Sequence, residues 1–155
     1  RSRSGITVKG VDDVSVRFSK CCGPVPGDEI IGFVTRGRGV SIHRTDCSNI
    51  VGMPEEDRAR LIDAEWEENA SVKTGELYLA EISIYAHNRT GILVDISKIF
   101  LELKVDITTI QTRTSKQGLK TLELTFEISG IEELNHIIKK IRNVESVIAI
   151  ERATG

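Results

Sequence analysis

The sequence predicts an α+β protein in two units: a small β-rich unit built round a cysteine–histidine cluster, then a ferredoxin-like βαββαβ unit. Three observations lead there. All three cysteines and one of the three histidines fall between Cys21 and Cys47, among short apolar runs and Gly/Pro turns. From Leu79 onward, period-two and helical apolar patterns follow one another as strand, helix, strand, strand, helix, strand. Between the two stretches, Asn69–Gly75 is polar and rich in small residues, the character of a linker. The boundaries are therefore 1–68, a linker over 69–76, and 77–155.

Composition narrows the function classes. With 39% hydrophobic and 28% charged residues and a net charge of −2, the chain has no global attraction for nucleic acid, so any such role must rest on local charge. Aromatic residues make up 5%, too few for a base-stacking platform as the main binding mode. No apolar run approaches the roughly 20 residues that span a bilayer, so no membrane partner is expected. No charged-then-apolar leader is visible. An odd number of cysteines, two of them adjacent, argues against a disulfide framework and for metal binding in a reducing compartment, with the cytoplasm as the expected location. Arg1–Ser4 reads as a linker remnant of something longer.

In the first unit, Ile6–Val8 and Val14–Phe18 alternate as short strands, with Gly10 and Asp12–Asp13 between them. Cys21–Cys22 opens a loop in which Pro24 and Pro26 cannot donate ladder hydrogen bonds. Ile30–Thr35 and Val40–His43 form a hairpin with Arg36 and Arg38 at its tip. Thr45 or Asp46 is a suitable N-cap for a short helix from Cys47 to about Met53. Seven acids and two arginines follow between Glu55 and Glu68, whereas residues 1–48 carry eight Lys/Arg against five Asp/Glu. Leu61–Trp66 predicts a closing strand with Trp66 as a core anchor.

In the second unit, Leu79–Ala86 alternates, with Ile82 and Ile84 on one face. Thr90–Leu103 sets Ile92, Leu93, Ile96, Ile99, Phe100 and Leu103 on one helical stripe. Strands over Val105–Lys116 and Leu119–Ile128 meet at Gln117–Gly118, an amphipathic helix covers Ile131–Asn143, and Val144–Arg152 is the last strand.

His43-x3-Cys47 offers two metal ligands, one at a strand end and one in the first turn of the next helix, where the thiolate is favoured. Cys22 and Cys21 can complete a tetrahedron if the backbone turns between them, because neighbours in an extended strand face opposite ways. The alternative is that one or both are small buried hydrophobes. A hydrolytic zinc site is disfavoured, because no general base accompanies the motif. Arg36, Arg38 and Arg44, with Arg17 and Lys20, form a local basic cluster, either reaching phosphates or simply solvated. The turn Asn88-Arg89-Thr90-Gly91-Ile92-Leu93 is either an anion site at a helix N-terminus or a tight connection with Asn88 or Thr90 as N-cap. His87 and His136 lack ligand spacing and read as surface residues.

With these residues in view, Val16–Asp28 and Gly32–Cys47 resemble the conserved-cysteine, zinc-finger-like domain of long Rel/RelA/SpoT proteins, the (p)ppGpp synthetase/hydrolases of the stringent response. The second half resembles their ACT domain, with Asn88–Leu93 at the place of the usual Asp-Arg-x-Gly-Leu-Leu. The resemblance implies a non-catalytic regulatory region. It implies structural zinc on Cys21, Cys22, His43 and Cys47, and rRNA contacts through the basic cluster, in a ribosome complex that senses uncharged A-site tRNA. The other implied partners are the catalytic domains of the same protein, a branched-chain amino acid at residues 88–93, and a second copy through the ACT domain. Asn88 in place of Asp removes a charge that would pair with an amino-acid ammonium group.

Overall fold

Two larger apolar clusters, each built against a face of a sheet, and a small third one of Cys22, Cys47 and Ile50 organise the described residues. The computed structural model describes residues 5–11, 14–37 and 39–154, so the turn residues Asp12 and Asp13, Arg38 and Arg1–Ser4 lie outside the description. In the first unit, β1 (Ile6–Val8) pairs antiparallel with β6 (Ala64–Trp66) as a two-stranded ribbon. A four-stranded sheet has the order β2 (Ser15–Phe18), β4 (Gly39–Arg44), β3 (Ile30–Val34), β5 (Leu61–Ile62). The β3–β4 hairpin forms as the alternation predicts, whereas β2 joins β4 in parallel. The expected closing strand is split, β5 serving the sheet and β6 the ribbon. Ile6, Val8, Val40, Ile42 and Ala64 are buried between ribbon and sheet.

Two one-turn helices, α1 (Ser48–Val51) and α2 (Glu55–Arg58), fill the connection after β4. The N-cap of α1 is Cys47 rather than Thr45 or Asp46, because the Asp46 carboxylate is taken up by Arg44. The polar segment 69–75 contains a third short helix, α3 (Ala70–Thr74), whose Ala70 is buried against Gly5.

In the second unit, β7 (Tyr78–His87), α4 (Ile92–Leu103), β8 (Ile107–Thr114), β9 (Leu119–Ile128), α5 (Ile131–Arg142) and β10 (Val147–Arg152) follow in the predicted order. The sheet order β10-β7-β9-β8, all antiparallel, is that of the ferredoxin-like fold. Tyr78, Ala80, Ile82, Ile84 and Ala86 on β7 face the helices, where Ile92, Ile96, Ile99 and Phe100 of α4 are buried; Leu93 and Leu103 are partly covered.

The two units share a junction. Val25, from the cysteine loop, is fully buried in the core of the second unit. Phe18, Trp66 and Tyr78 form an aromatic trio at 5.3–5.6 Å between ring centroids, and Trp66 Nε1 donates to the Asp28 carbonyl. Gly27 is glycine for a steric reason as well as its φ of 106°: a Cβ there would lie 2.1 Å from Ile131 Cγ2. Gly27→Ala is therefore expected to loosen the junction, read as a lower melting temperature and a shift in Trp66 fluorescence.

Candidate metal centre and basic face

Cys21, Cys22, His43 and Cys47 converge, with one ligand atom from each lying within 4.8 Å of the others. The adjacent cysteines share the site because the chain turns there. The Gly23 amide donates to the Ser19 carbonyl at 3.0 Å, closing a helix-like turn in which successive side chains diverge by about 100° rather than 180°. Gly23 then leaves with φ of 57°, and a Cβ there would approach the Leu79 carbonyl of β7 at 3.2 Å. His43 comes from β4, and Cys47 from the cap of α1.

Cys21 Sγ lies 3.4 Å from His43 Nδ1 and 3.5 Å from Cys47 Sγ, while Cys22 Sγ is 3.9 Å from His43 Nδ1. On the far side of the ring, His43 Nε2 is 2.9 Å from Ser19 Oγ and 3.4 Å from Ser41 Oγ. A proton on Nε2, donated to Ser19, leaves the Nδ1 lone pair facing the sulfurs, the tautomer a metal needs. The Arg44 amide donates to Cys22 Sγ at 3.3 Å.

Without an ion, burial favours the neutral forms. It pushes the Cys22 thiol up to about 12 and raises that of Cys47 against the opposing pull of the Asn49 amide. It also lowers His43. Desolvation thus outweighs the helix-start effect expected for Cys47. For the metal-free protein, the unfolded chain releases the Cys22 proton first, so stability is lost as pH rises above the ordinary thiol value of 9.0. The unfolded chain also binds the His43 proton first, so stability falls as pH drops below 6.5. A chemical-denaturation series from pH 5 to 10 in chelator should show a plateau between those values; loss of stability inside that window would contradict this assignment.

The basic residues divide. Arg17, Lys20 and Arg36 are exposed, and none forms an ion pair among the described residues. Arg44 is different: it is 5% exposed, and it cannot join a solvent-facing cluster. Its guanidinium donates to the carbonyls of Cys22 and Ala153 and to both carboxylate oxygens of Asp46, which holds the Asp46 carboxyl below its usual range. Strand alternation carried this information, since Arg44 shares the inward face of β4 with Val40 and Ile42. Arg38 lies outside the described residues.

Across the outer face of the sheet, Arg17, Ser41, Phe33 and Leu61 stand in register on β2, β4, β3 and β5. His43 follows Ser41 two residues along the same face, so the row that begins at Arg17 lies next to the cysteine–histidine cluster. Sequence reasoning missed Arg60, counted with the acidic stretch: its Cζ sits 4.5 Å from the Phe33 ring centroid and its Nε donates to the Val34 carbonyl. A groove beside the hairpin turn is lined by Ser15, Arg17, Thr35, Gly37, Gly39 and Val40.

In the second unit, the N-cap of α4 is Gly91, with φ of 86°, rather than Asn88 or Thr90. Arg89 does not point into an open site. It donates to the Glu145 carbonyl, to the Thr90 carbonyl and to Asp95 at 2.9 Å, closing the turn on itself. Ile92 is buried in the core, whereas Leu93 is only partly covered. His87 and His136 are exposed, as expected.

Residues 6–67 match the family model for the RelA/SpoT RIS domain, and residues 74–152 match that for the ACT domain. A GTP pyrophosphokinase of Streptomyces coelicolor is 39% identical over 151 residues, which are 97% of this chain and 17% of that protein. A GTP pyrophosphokinase of Escherichia coli K12 is 35% identical, and the bifunctional (p)ppGpp synthase/hydrolase RelA of Mycobacterium tuberculosis is 37% identical. Each match covers 97% of this chain and 20% of the relative, so the chain spans about a fifth of the length of the curated relatives it matches. The crystal structure of the ACT domain from a GTP pyrophosphokinase of Chlorobium tepidum is 26% identical with a TM-score of 0.45, covering 49% of this chain and 97% of that one. No helix among the described residues is long and apolar enough to cross a membrane. Two domain matches in succession, together spanning most of the sequence, show that the chain belongs to the RelA/SpoT family, of which it holds the regulatory RIS and ACT domains.

Proposed function

We propose that this module docks a cytoplasmic (p)ppGpp synthetase/hydrolase on ribosomal RNA. From there it takes part in sensing uncharged tRNA in the A site and relays that state to the catalytic domains of the same protein. The observation that carries the reading is the outer sheet face, where exposed Arg17 lines a groove beside the turn that carries exposed Arg36 and stands in register with Ser41, two residues before His43. Exposed arginines in this arrangement suit phosphate contacts. A zinc ion on Cys21, Cys22, His43 and Cys47 is the structural part of the proposal. Tetrahedral zinc with sulfur at about 2.3 Å and nitrogen at about 2.0–2.1 Å would separate its ligands by roughly 3.5–3.8 Å. The separations of 3.4, 3.5 and 3.9 Å lie close to that spacing, and the four ligand atoms, all within 4.8 Å of one another, would draw in slightly round the ion. The role is structural, since all four positions are filled by protein ligands and none is left for a reacting water.

Ribosome binding by the chain should weaken steeply with salt. Arg17→Glu with Arg36→Glu should lower affinity and reduce the slope of log K against log salt by about 2. Filter binding at several salt concentrations reads both. An unchanged slope in the folded double variant would remove this face from the interface.

A second reading, amino-acid sensing at residues 88–93 with control of pairing between two copies, is favoured by the ACT match and the left-handed Gly91 cap. It requires Arg89 to leave Glu145 and Asp95. Calorimetry with valine, leucine and isoleucine tests it: heat and a thermal shift support it, and the absence of both with all three removes it.

A further inference from the structure

The loop Cys21–Asp28 is held by one buried ion pair that reaches across the junction. Arg152, the last residue of β10, donates Nη1 to Asp28 Oδ1 at 2.8 Å and Nη2 to Oδ2 at 2.9 Å. The two side chains are 17% and 8% exposed. Each also fastens the loop to itself. Asp28 Oδ2 accepts the Val25 amide at 2.8 Å, and Arg152 Nη2 donates to the Gly23 carbonyl at 3.1 Å. Gly23 immediately follows Cys22 and ends the turn that brings both adjacent sulfurs to one side.

A pair this buried contributes little net stability, because desolvation of both charges offsets most of their attraction. What a bidentate arginine–carboxylate pair does supply is fixed geometry. Here the fixed element is the segment that presents two of four ligands, and the residue fixing it belongs to the other unit.

We propose that Asp28 and Arg152 are positioning residues for the cysteine–histidine centre, so that metal occupancy and docking of the ACT unit are reciprocally linked. The inference rests on the metal reading above. With the clamp in place, Cys21 and Cys22 are preset for the ion. Without it, Val25, Trp66 and Arg44 still anchor the loop. The Gly23 and Val25 backbone fixings made by the pair are lost, however, so more of the ordering falls to the ion, and affinity falls. By linkage, the bound ion tightens the hold on β10 by the same factor.

The test uses the whole 155-residue chain with Zn2+ and Co2+ in competition titrations against a chromophoric chelator. Asp28→Asn and Arg152→Gln should each weaken binding by about 5–150-fold, the usual range for coupling between two sites. The double variant should be no weaker than the worse single one, because both remove the same interaction. Arg152→Lys, which keeps the charge but not the fork, should lie between. The Co2+ thiolate charge-transfer bands should keep their shape, since the ligands are unchanged. Chelation should accelerate hydrogen exchange in Val147–Arg152 of the parent chain, and this readout holds even where a variant does not fold. Affinities within twofold of the parent in folded variants, or exchange in β10 indifferent to chelation, would overturn the positioning role alone. A parent chain that takes up no stoichiometric ion would overturn the metal reading and this inference with it.

Discussion

Cys47→Ala is expected to abolish stoichiometric metal binding and to unfold the first unit at temperatures where the parent chain is folded. Cys47 is fully buried, and its sulfur lies 3.5 Å from that of Cys21. The buried apolar residues of this unit are Ile6, Val8, Val40, Ile42 and Ala64 in one cluster and Cys22, Cys47 and Ile50 in another, with nothing larger than isoleucine fully inside among the described residues. A unit of about 60 residues buries too small a fraction of its surface to be secure on such a core. Structural zinc contributes apparent binding energies of about 10–16 kcal/mol in small finger peptides, comparable with the whole 5–15 kcal/mol stability of an ordinary domain. Trp66, the only tryptophan in the sequence, stacks on Phe18 and reports the loss by fluorescence. Treating the parent with a strong chelator should reproduce the change. Retention of one zinc per chain by a folded Cys47→Ala variant would contradict the ligand assignment.

Val25→Asp is the second large effect. Val25 is contributed by the metal loop but sits at 0% exposure in the core of the ACT unit. A carboxylate there would lose its hydration with no buried cation within the apolar cluster to receive it, a penalty of several kcal/mol. At roughly 2–4 °C per kcal/mol for a chain of this size, melting should fall by about 10 °C or more. Val25→Ala, which only removes methyl groups, should cost about 1–3 kcal/mol. A melting temperature for Val25→Asp no lower than that of Val25→Ala would show that the loop does not insert into the second core.

Local patterns made most of the second unit legible. Alternation on β7 and β9 and the helical stripe of α4 fixed element type and order, and Gly118 marked the β8–β9 turn. The four residues of the cysteine–histidine cluster were legible as candidates from residue type and spacing, but the arrangement of the adjacent cysteines was not. It depends on the Ser19–Gly23 turn, and Gly23 is held against β7 more than 50 residues away in the chain. Pairing partners were equally hidden: a period-two run marks β2 as a strand but says nothing of its parallel place beside β4. Arg44 was misplaced because charge was counted along the chain without projecting it onto the faces of β4. Asp28 and Arg152 carry no local cue at all, since their meaning lies in a contact between residues 124 positions apart.

The proposed function has a metal-braced sheet presenting Arg17 and Arg36 to ribosomal RNA. Cryo-electron microscopy of the full-length protein on a ribosome stalled with uncharged tRNA tests it most directly. The prediction is density for one ion among Cys21, Cys22, His43 and Cys47, with Arg17 and Arg36 against rRNA phosphates and Arg44 still folded inward on Asp46. A complex in which this sheet face points to solvent, or in which the four ligand side chains hold no ion, would contradict it.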